Sequence, residues 1–188
     1  MMQDLKKKID DITSYIELNR LDLSKLNLMT NNGNMVYDIH QPPGVEHYRL
    51  LCQLSMWFNN ATIYELGTWI GAGTICMAYN KNNRVVSYDV EYRVDLMRLP
   101  NMEFRLGDYK NDPELLKSPF IFVDVSHDGH LEREIYKYLT DSNYKGLTVW
   151  DDINLNPEMR SFWADVKHDK RDISRYGHYS GTGVIFCE

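Results

Sequence analysis

The sequence predicts an α/β domain whose sheet is mostly parallel and covered by helices on both faces. From residue 61 onward, short apolar runs alternate with stretches of helical spacing, the pattern of strand–helix–strand crossovers. Two of those runs, PFIFVD and GLTVWD, are apolar enough to read as buried strands. Several runs also end in acids: Glu65, Asp89, Asp124 and the adjacent pair Asp151 and Asp152. In open α/β sheets, ligands bind where strands end in this way.

Taken in order, residues 2–28 carry Leu5, Ile9, Ile12, Ile16 and, less regularly, Leu21 and Leu26 at helical spacing. The segment TNNGNMVYDIHQPPG is a loop by composition. Its Tyr37, Asp38, His40 and Gln41 precede the stiff Pro42-Pro43-Gly44 turn and read as a lid. A second helix follows in EHYRLLCQLSMWF, with Leu50, Leu51, Leu54 and Trp57 on one face. Strands are expected at 61–66, 84–90, 102–106, 119–124, 146–151 and 181–187, and helices at 73–80, 91–99, 112–117, 130–140 and 157–168. The last strand follows the turn RYGHYSGTG and is expected to add antiparallel; His178 and Tyr179 read as residues of that turn. No repeat or linker divides the chain. Residues 1–58 form a helical cap and lid, and 59–188 the core of the same domain.

A chain of 188 residues can bury a sizeable single core. Its net charge of -6 and pI near 5.5 argue against a nucleic-acid surface. The three cysteines have neither metal-type spacing nor the density of a disulfide framework. The charged start MMQDLKKKIDDI lacks the apolar centre of a signal peptide, and no apolar stretch reaches membrane length. A cytoplasmic protein with no membrane or nucleic-acid partner is expected, with homo-oligomerisation left open.

The run IYELGTWIGAGTICMAY places Gly67, Gly71 and Gly73 between a strand and a helix of small residues. Glycines permit positive φ and close approach of backbone to a ligand. Glu65 ahead of the loop suits a cationic or hydroxyl-rich ligand better than a pyrophosphate. Asp89 ends the next strand, about twenty residues past the loop, where an acid commonly takes the two ribose hydroxyls of a nucleoside cofactor. Asp108 ends the third strand region, placed to read an adenine amino group, with Tyr109 available to stack. A short-chain dehydrogenase would need a tyrosine with lysine four positions on, and none of the 13 tyrosines has one.

Glu65-Leu66-Gly67 through Gly71, then Asp89, then Gly107-Asp108, resembles the pattern of the class I S-adenosylmethionine-dependent methyltransferases over roughly residues 40–188. The resemblance implies a Rossmann-like fold, methyltransferase activity and S-adenosylmethionine as cofactor. Glu65, Gly67, Trp69 and Gly71 would shape the methionine pocket, Asp89 would hold the ribose, and Asp108 and Tyr109 the adenine. VDVSHDGH and WDDIN further resemble the metal-dependent O-methyltransferases, which carry an Asp after the fourth strand and an Asp-Asp or Asp-Asn pair after the fifth. That implies Mg²⁺ or Mn²⁺ on Asp124, Asp151 and Asp152. The Asp-Asp form looks more like the sugar-modifying branch than the catechol branch, so the implied acceptor is a sugar or glycan hydroxyl. His127 lies three positions after Asp124, where the catechol group carries its catalytic lysine, and is the expected base, with Asp124 beside it. Ser126 occupies the place where the sugar branch carries an acidic base, which leaves Asp128 and His130 as alternatives. A catechol acceptor, a metal-independent methyltransferase and a non-catalytic nucleoside-binding domain stay open at this point.

Overall fold

Seven strands form one sheet in the order β3-β2-β1-β4-β5-β7-β6. The structure is a computed structural model, and it describes residues 2–12, 21–23, 26, 45–93 and 99–188. The strands are β1 (Thr62–Leu66), β2 (Arg84–Asp89), β3 (Met102–Leu106), β4 (Phe120–Val123), β5 (Gly146–Asp151), β6 (Asp169–Asp172) and β7 (Thr182–Cys187). Strands β1 to β5 pair in parallel. β7 runs antiparallel between β5 and β6. The helices are α1 (Met2–Asp10), α2 (Val45–Ser55), α3 (Ala72–Met77), α4 (His130–Asp141) and α5 (Pro157–Asp165).

Both faces of the sheet are buried because side chains alternate across each strand. Ile63, Val85, Phe120, Phe122, Leu147 and Val149 face a core built with α1, α2 and α3. Tyr64, Val86, Ile121, Val123 and Trp150 face the other core, completed by Ile135 and Leu139 of α4 and Met159 and Phe162 of α5. The N-terminal apolar pattern thus does cap the sheet: Leu5 and Ile9 of α1 and Leu50, Leu51 and Leu54 of α2 are all buried.

All six expected strands are present. The helix expected at 112–117 is instead two 3₁₀ turns, Tyr109–Asn111 and Leu115–Lys117. Pro113 cannot donate an intrahelical bond, and Asp112 is held away from a helix by tertiary partners: its Oδ2 accepts from Tyr64 (2.9 Å), Tyr88 (3.2 Å) and Arg105 (2.6 Å). The helix expected at 157–168 ends at Asp165, and the chain then forms β6, a strand the sequence reading missed. Its Asp-Lys-Arg-Asp composition carries no apolar period, as befits a charged edge strand. Most of the helix expected at 91–99 and the lid residues Tyr37, Asp38, His40 and Gln41 lie outside the described residues. Among the described residues no helix is long and apolar enough to cross a membrane.

Candidate active site

The loop after β1 is pressed against the chain leaving β4. Gly67 has φ 91°, and a Cβ there would sit 1.6 Å from the Asp124 carbonyl oxygen. The Asp124 amide donates to the Leu66 carbonyl at 2.8 Å. The glycine loop and the acidic edge are therefore built on one contact that only glycine permits. Gly71 also has positive φ, at 94°, where the chain enters α3.

Glu65 lies beneath this loop rather than in the cleft. It is 1% exposed and accepts hydrogen bonds from the Thr74 and Ser87 hydroxyls. Burial pushes its carboxyl up to about 8, against the lowering effect of those two hydroxyls. The sign of the resulting pH dependence follows. The folded chain keeps the proton to about 8 while the unfolded chain releases it near 4.5, so stability falls as pH rises through that window. Glu65→Gln is expected to flatten this dependence, gaining on the wild type by about 5 kcal/mol between the two ends of the window. Urea melts at several pH values check it; a constant offset between the two proteins would show instead that Glu65 is charged in the fold.

Asp89 organises the loop from the neighbouring strand. Its Oδ2 accepts from the Thr68 and Trp69 amides at 2.9 and 2.8 Å, and its Oδ1 from the Val90 and Glu91 amides at 2.7 and 3.2 Å. Trp69 adopts φ 48° and is 58% exposed, with the Arg93 guanidinium 4.6 Å from its ring centroid. Asp108 caps the next turn by accepting from the Lys110 amide at 2.9 Å. The buried Tyr109 hydroxyl has no hydrogen-bond partner. A cleft of about 970 Å³ runs past Gly67, Trp69, Asp89, Asp108 and Tyr109 and reaches Asp124, Ser126 and His127. The residues expected to hold a nucleoside and those expected to work on the acceptor thus share one cavity, whose size suits a drug-sized ligand. Gly71, Glu65, Asp151 and Asp152 do not line it.

Beside His127 but outside the cleft lining, Asp151 and Asp152 are each 7% exposed; Asp151 is the last residue of β5, and Asp152 takes a left-handed φ of 58°. His178 Nδ1 is 2.9 Å from Asp152 Oδ1 and 3.8 Å from Asp151 Oδ2. Ser180 also donates to Asp152. His127 Nε2 stands between Asp124 Oδ1 (3.3 Å) and Asp152 Oδ2 (3.6 Å). Its amide donates to Glu132 Oε1 at 2.7 Å and its carbonyl accepts from Asn156 at 2.7 Å, which fixes the loop. His130, by contrast, begins α4 and is 80% exposed, and Asp128 caps that helix start through the His130 and Leu131 amides. Neither alternative base points from a buried position into the cluster.

The carboxyl groups of this cluster are perturbed in opposite directions. Burial pushes the Asp151 carboxyl well above the usual range, and the charges of Asp124 and Asp152 add to this. Burial acts the same way on Asp152, but bonds from His178 and Ser180 outweigh it and hold that carboxyl below the usual range. Burial by itself would lower the His127 imidazole; the Asp124 carboxylate more than reverses this. Asp151, Asp152 and His178 each offer a donor atom within 4.8 Å of the others. Asp124 is not in that group and meets it through His127.

The sequence reading undervalued His178, which the structure brings to the aspartate pair, and passed over His47 of α2, which also approaches it. The signal for His178 was present. A strand antiparallel to β5 must begin at the edge where β5 ends, and the register pairs Asp151 with Thr182. Residues just before β7 therefore arrive beside the aspartate pair.

No family model matches the chain, and no curated protein does. Solved structures do. An O-methyltransferase from Bacillus cereus in complex with S-adenosylhomocysteine aligns with a TM-score of 0.52 and 16% identity, covering 100% of both chains. A candidate caffeoyl-CoA O-methyltransferase from Staphylococcus aureus aligns with a TM-score of 0.54 and 13% identity over 100% of this chain and 99% of its own. The O-methyltransferase TomG from Streptomyces achromogenes, involved in tomaymycin synthesis and solved with S-adenosylmethionine, gives 0.54 and 15% over 79% of this chain and 82% of its own. The fold is that of the class I S-adenosylmethionine-dependent methyltransferases. At these identities the likeness establishes architecture; what a methyltransferase fold does here is decided by the site.

Proposed function

We propose that this protein transfers the methyl group of S-adenosylmethionine to a hydroxyl of a sugar or glycan, with a divalent cation at the acidic edge. The observation that carries the reading is the single cleft joining Asp89, Asp108 and Tyr109 to Asp124 and His127. The cofactor would supply an electrophilic methyl group. Asp89 would take the ribose hydroxyls, Asp108 the adenine amino group and Tyr109 a face of the base, while Trp69 would border the methionine end with Gly67. The donor set fits a cation: buried carboxylates of Asp151 and Asp152 converge, and Asp151 Oδ1 has no hydrogen-bond partner. Asp124 would complete the set from the β4 side. A cation there would lower the pKa of an acceptor hydroxyl and orient it. His127 would receive the hydroxyl proton, and Asp124, already 3.3 Å from its Nε2, would stabilise the imidazolium. The Asp-Asp pair supports the sugar branch over the catechol branch.

The test is transfer of labelled methyl to a panel of glycosides and catechols, with and without chelator. Glycoside methylation that chelation lowers by about a hundredfold or more is expected. Faster methylation of catechols would overturn the acceptor class, and turnover indifferent to chelation would overturn the metal assistance.

A further inference from the structure

The proposed cation site contains more nitrogen than oxygen-ligand chemistry needs. His47 is 6% exposed, and its Nδ1 has no hydrogen-bond partner among the described residues. That atom lies 3.6 Å from Asp151 Oδ1, which is also buried without a partner. The separation is too long for a hydrogen bond between them. Two buried polar atoms that face each other and bond to nothing are costly unless a third group sits between them. The His47 ring is packed at 5.3 Å from Tyr48, 5.7 Å from Phe122 and 5.3 Å from His178. The site wall is thus largely imidazole and aromatic, and His47 is aimed at the aspartate pair from α2 while His178 approaches from the turn before β7.

We propose that the site takes a first-row transition-metal dication in preference to Mg²⁺, with His178 as a nitrogen ligand beside Asp151 and Asp152, and with His47 as the second nitrogen donor. The inference rests on the metal-assisted reading above and specifies its cation. Mg²⁺ demands near-ideal octahedral oxygen coordination and sheds water reluctantly. Imidazole suits Fe²⁺, Ni²⁺, Cu²⁺ and Zn²⁺, and the affinity of such mixed nitrogen and oxygen sites rises from Mn²⁺, the weakest binder of the series, to Cu²⁺ and falls again at Zn²⁺. His178 Nδ1 already shares a 4.8 Å cluster with both aspartates, so a cation would replace its hydrogen bond to Asp152 without moving the backbone. Ser180, which also bonds Asp152, would keep that carboxylate oriented from outside the coordination sphere.

The experiment is pulsed electron paramagnetic resonance on the full chain loaded with Mn²⁺, together with calorimetric titration of Mn²⁺ and Mg²⁺. Mn²⁺ is expected to bind at least about tenfold tighter than Mg²⁺ and to show ¹⁴N coupling. His178→Gln is expected to weaken Mn²⁺ binding about 10- to 100-fold and to reduce the nitrogen coupling, and His47→Gln to remove the second contribution. S-adenosylhomocysteine binding by each variant confirms that it is folded. Bound Mn²⁺ with no nitrogen coupling overturns the inference and leaves metal-assisted transfer standing on oxygen ligands. Coupling that survives both variants and vanishes in His127→Gln also overturns it, by placing the ligand on the β4 loop. Failure of Mn²⁺ to bind at millimolar concentration removes both the inference and the metal assistance, while the cofactor titration reports separately on the methyltransferase reading.

Discussion

Asp151→Asn is expected to lower methyl transfer by about a thousandfold or more and, in metal-free protein, to raise stability by about 1–2 kcal/mol. The two effects have one cause. Asp151 closes β5 in a position 7% exposed, with an oxygen that no group among the described residues satisfies. Burial and the nearby Asp124 and Asp152 all disfavour its charge. A carboxyl whose folded pKa is raised costs stability at every pH above its unfolded value, so an amide of the same shape relieves the fold at neutral pH. The same amide removes the charge that a cation would need. Labelled-methyl transfer and urea unfolding in the presence of chelator check the two halves. Retained turnover would make Asp151 a structural residue, and loss of stability would mean that its carboxyl is paired in the folded chain.

Asp89→Asn is the second large effect. Asp89 has two oxygens, each accepting from two backbone amides, on opposite sides of the glycine-loop entrance. An asparagine must turn its NH₂ toward one of those pairs, where two donors would meet another donor. Charge-assisted bonds of this kind are worth about 1.5–3 kcal/mol, so S-adenosylhomocysteine affinity is expected to fall about a hundredfold. The loss would arise from the loop as well as from the ribose contact, so Asp89→Asn should also weaken a cofactor fragment that lacks the ribose hydroxyls. If that fragment binds the variant as tightly as the wild type, Asp89 acts on the ribose alone.

The strand–helix alternation made the parallel half of the sheet legible, because strands buried on both faces are written as compact apolar runs. The acids at strand ends were legible for a related reason: a carboxylate directly after a buried run has to emerge at the sheet's edge. β6 was not legible, since an edge strand of Asp-Lys-Arg-Asp buries little and owes its pairing to β7. Residues 112–117 were misread as helix because Leu115 and Leu116 suggest one, while the bonds that hold Asp112 to Tyr64, Tyr88 and Arg105 are all tertiary. His47 had the same difficulty. On α2 it sits among Leu50, Leu51 and Leu54 as an ordinary inward-facing residue, and only the packing of α2 over the end of β5 brings it to Asp151. His178 was closer to being readable, because antiparallel addition of the last strand already required the preceding turn to lie at the acidic edge.

The proposed function requires the cleft between the glycine loop and Asp124 to take a nucleoside cofactor. Calorimetric titration of S-adenosylhomocysteine into the wild-type protein and into Asp89→Asn tests it most directly. One site per chain with a dissociation constant of about 1–100 µM is expected, with a loss of about a hundredfold in the variant. No binding to the folded wild-type protein at millimolar ligand, or binding that Asp89→Asn leaves unchanged, would contradict it.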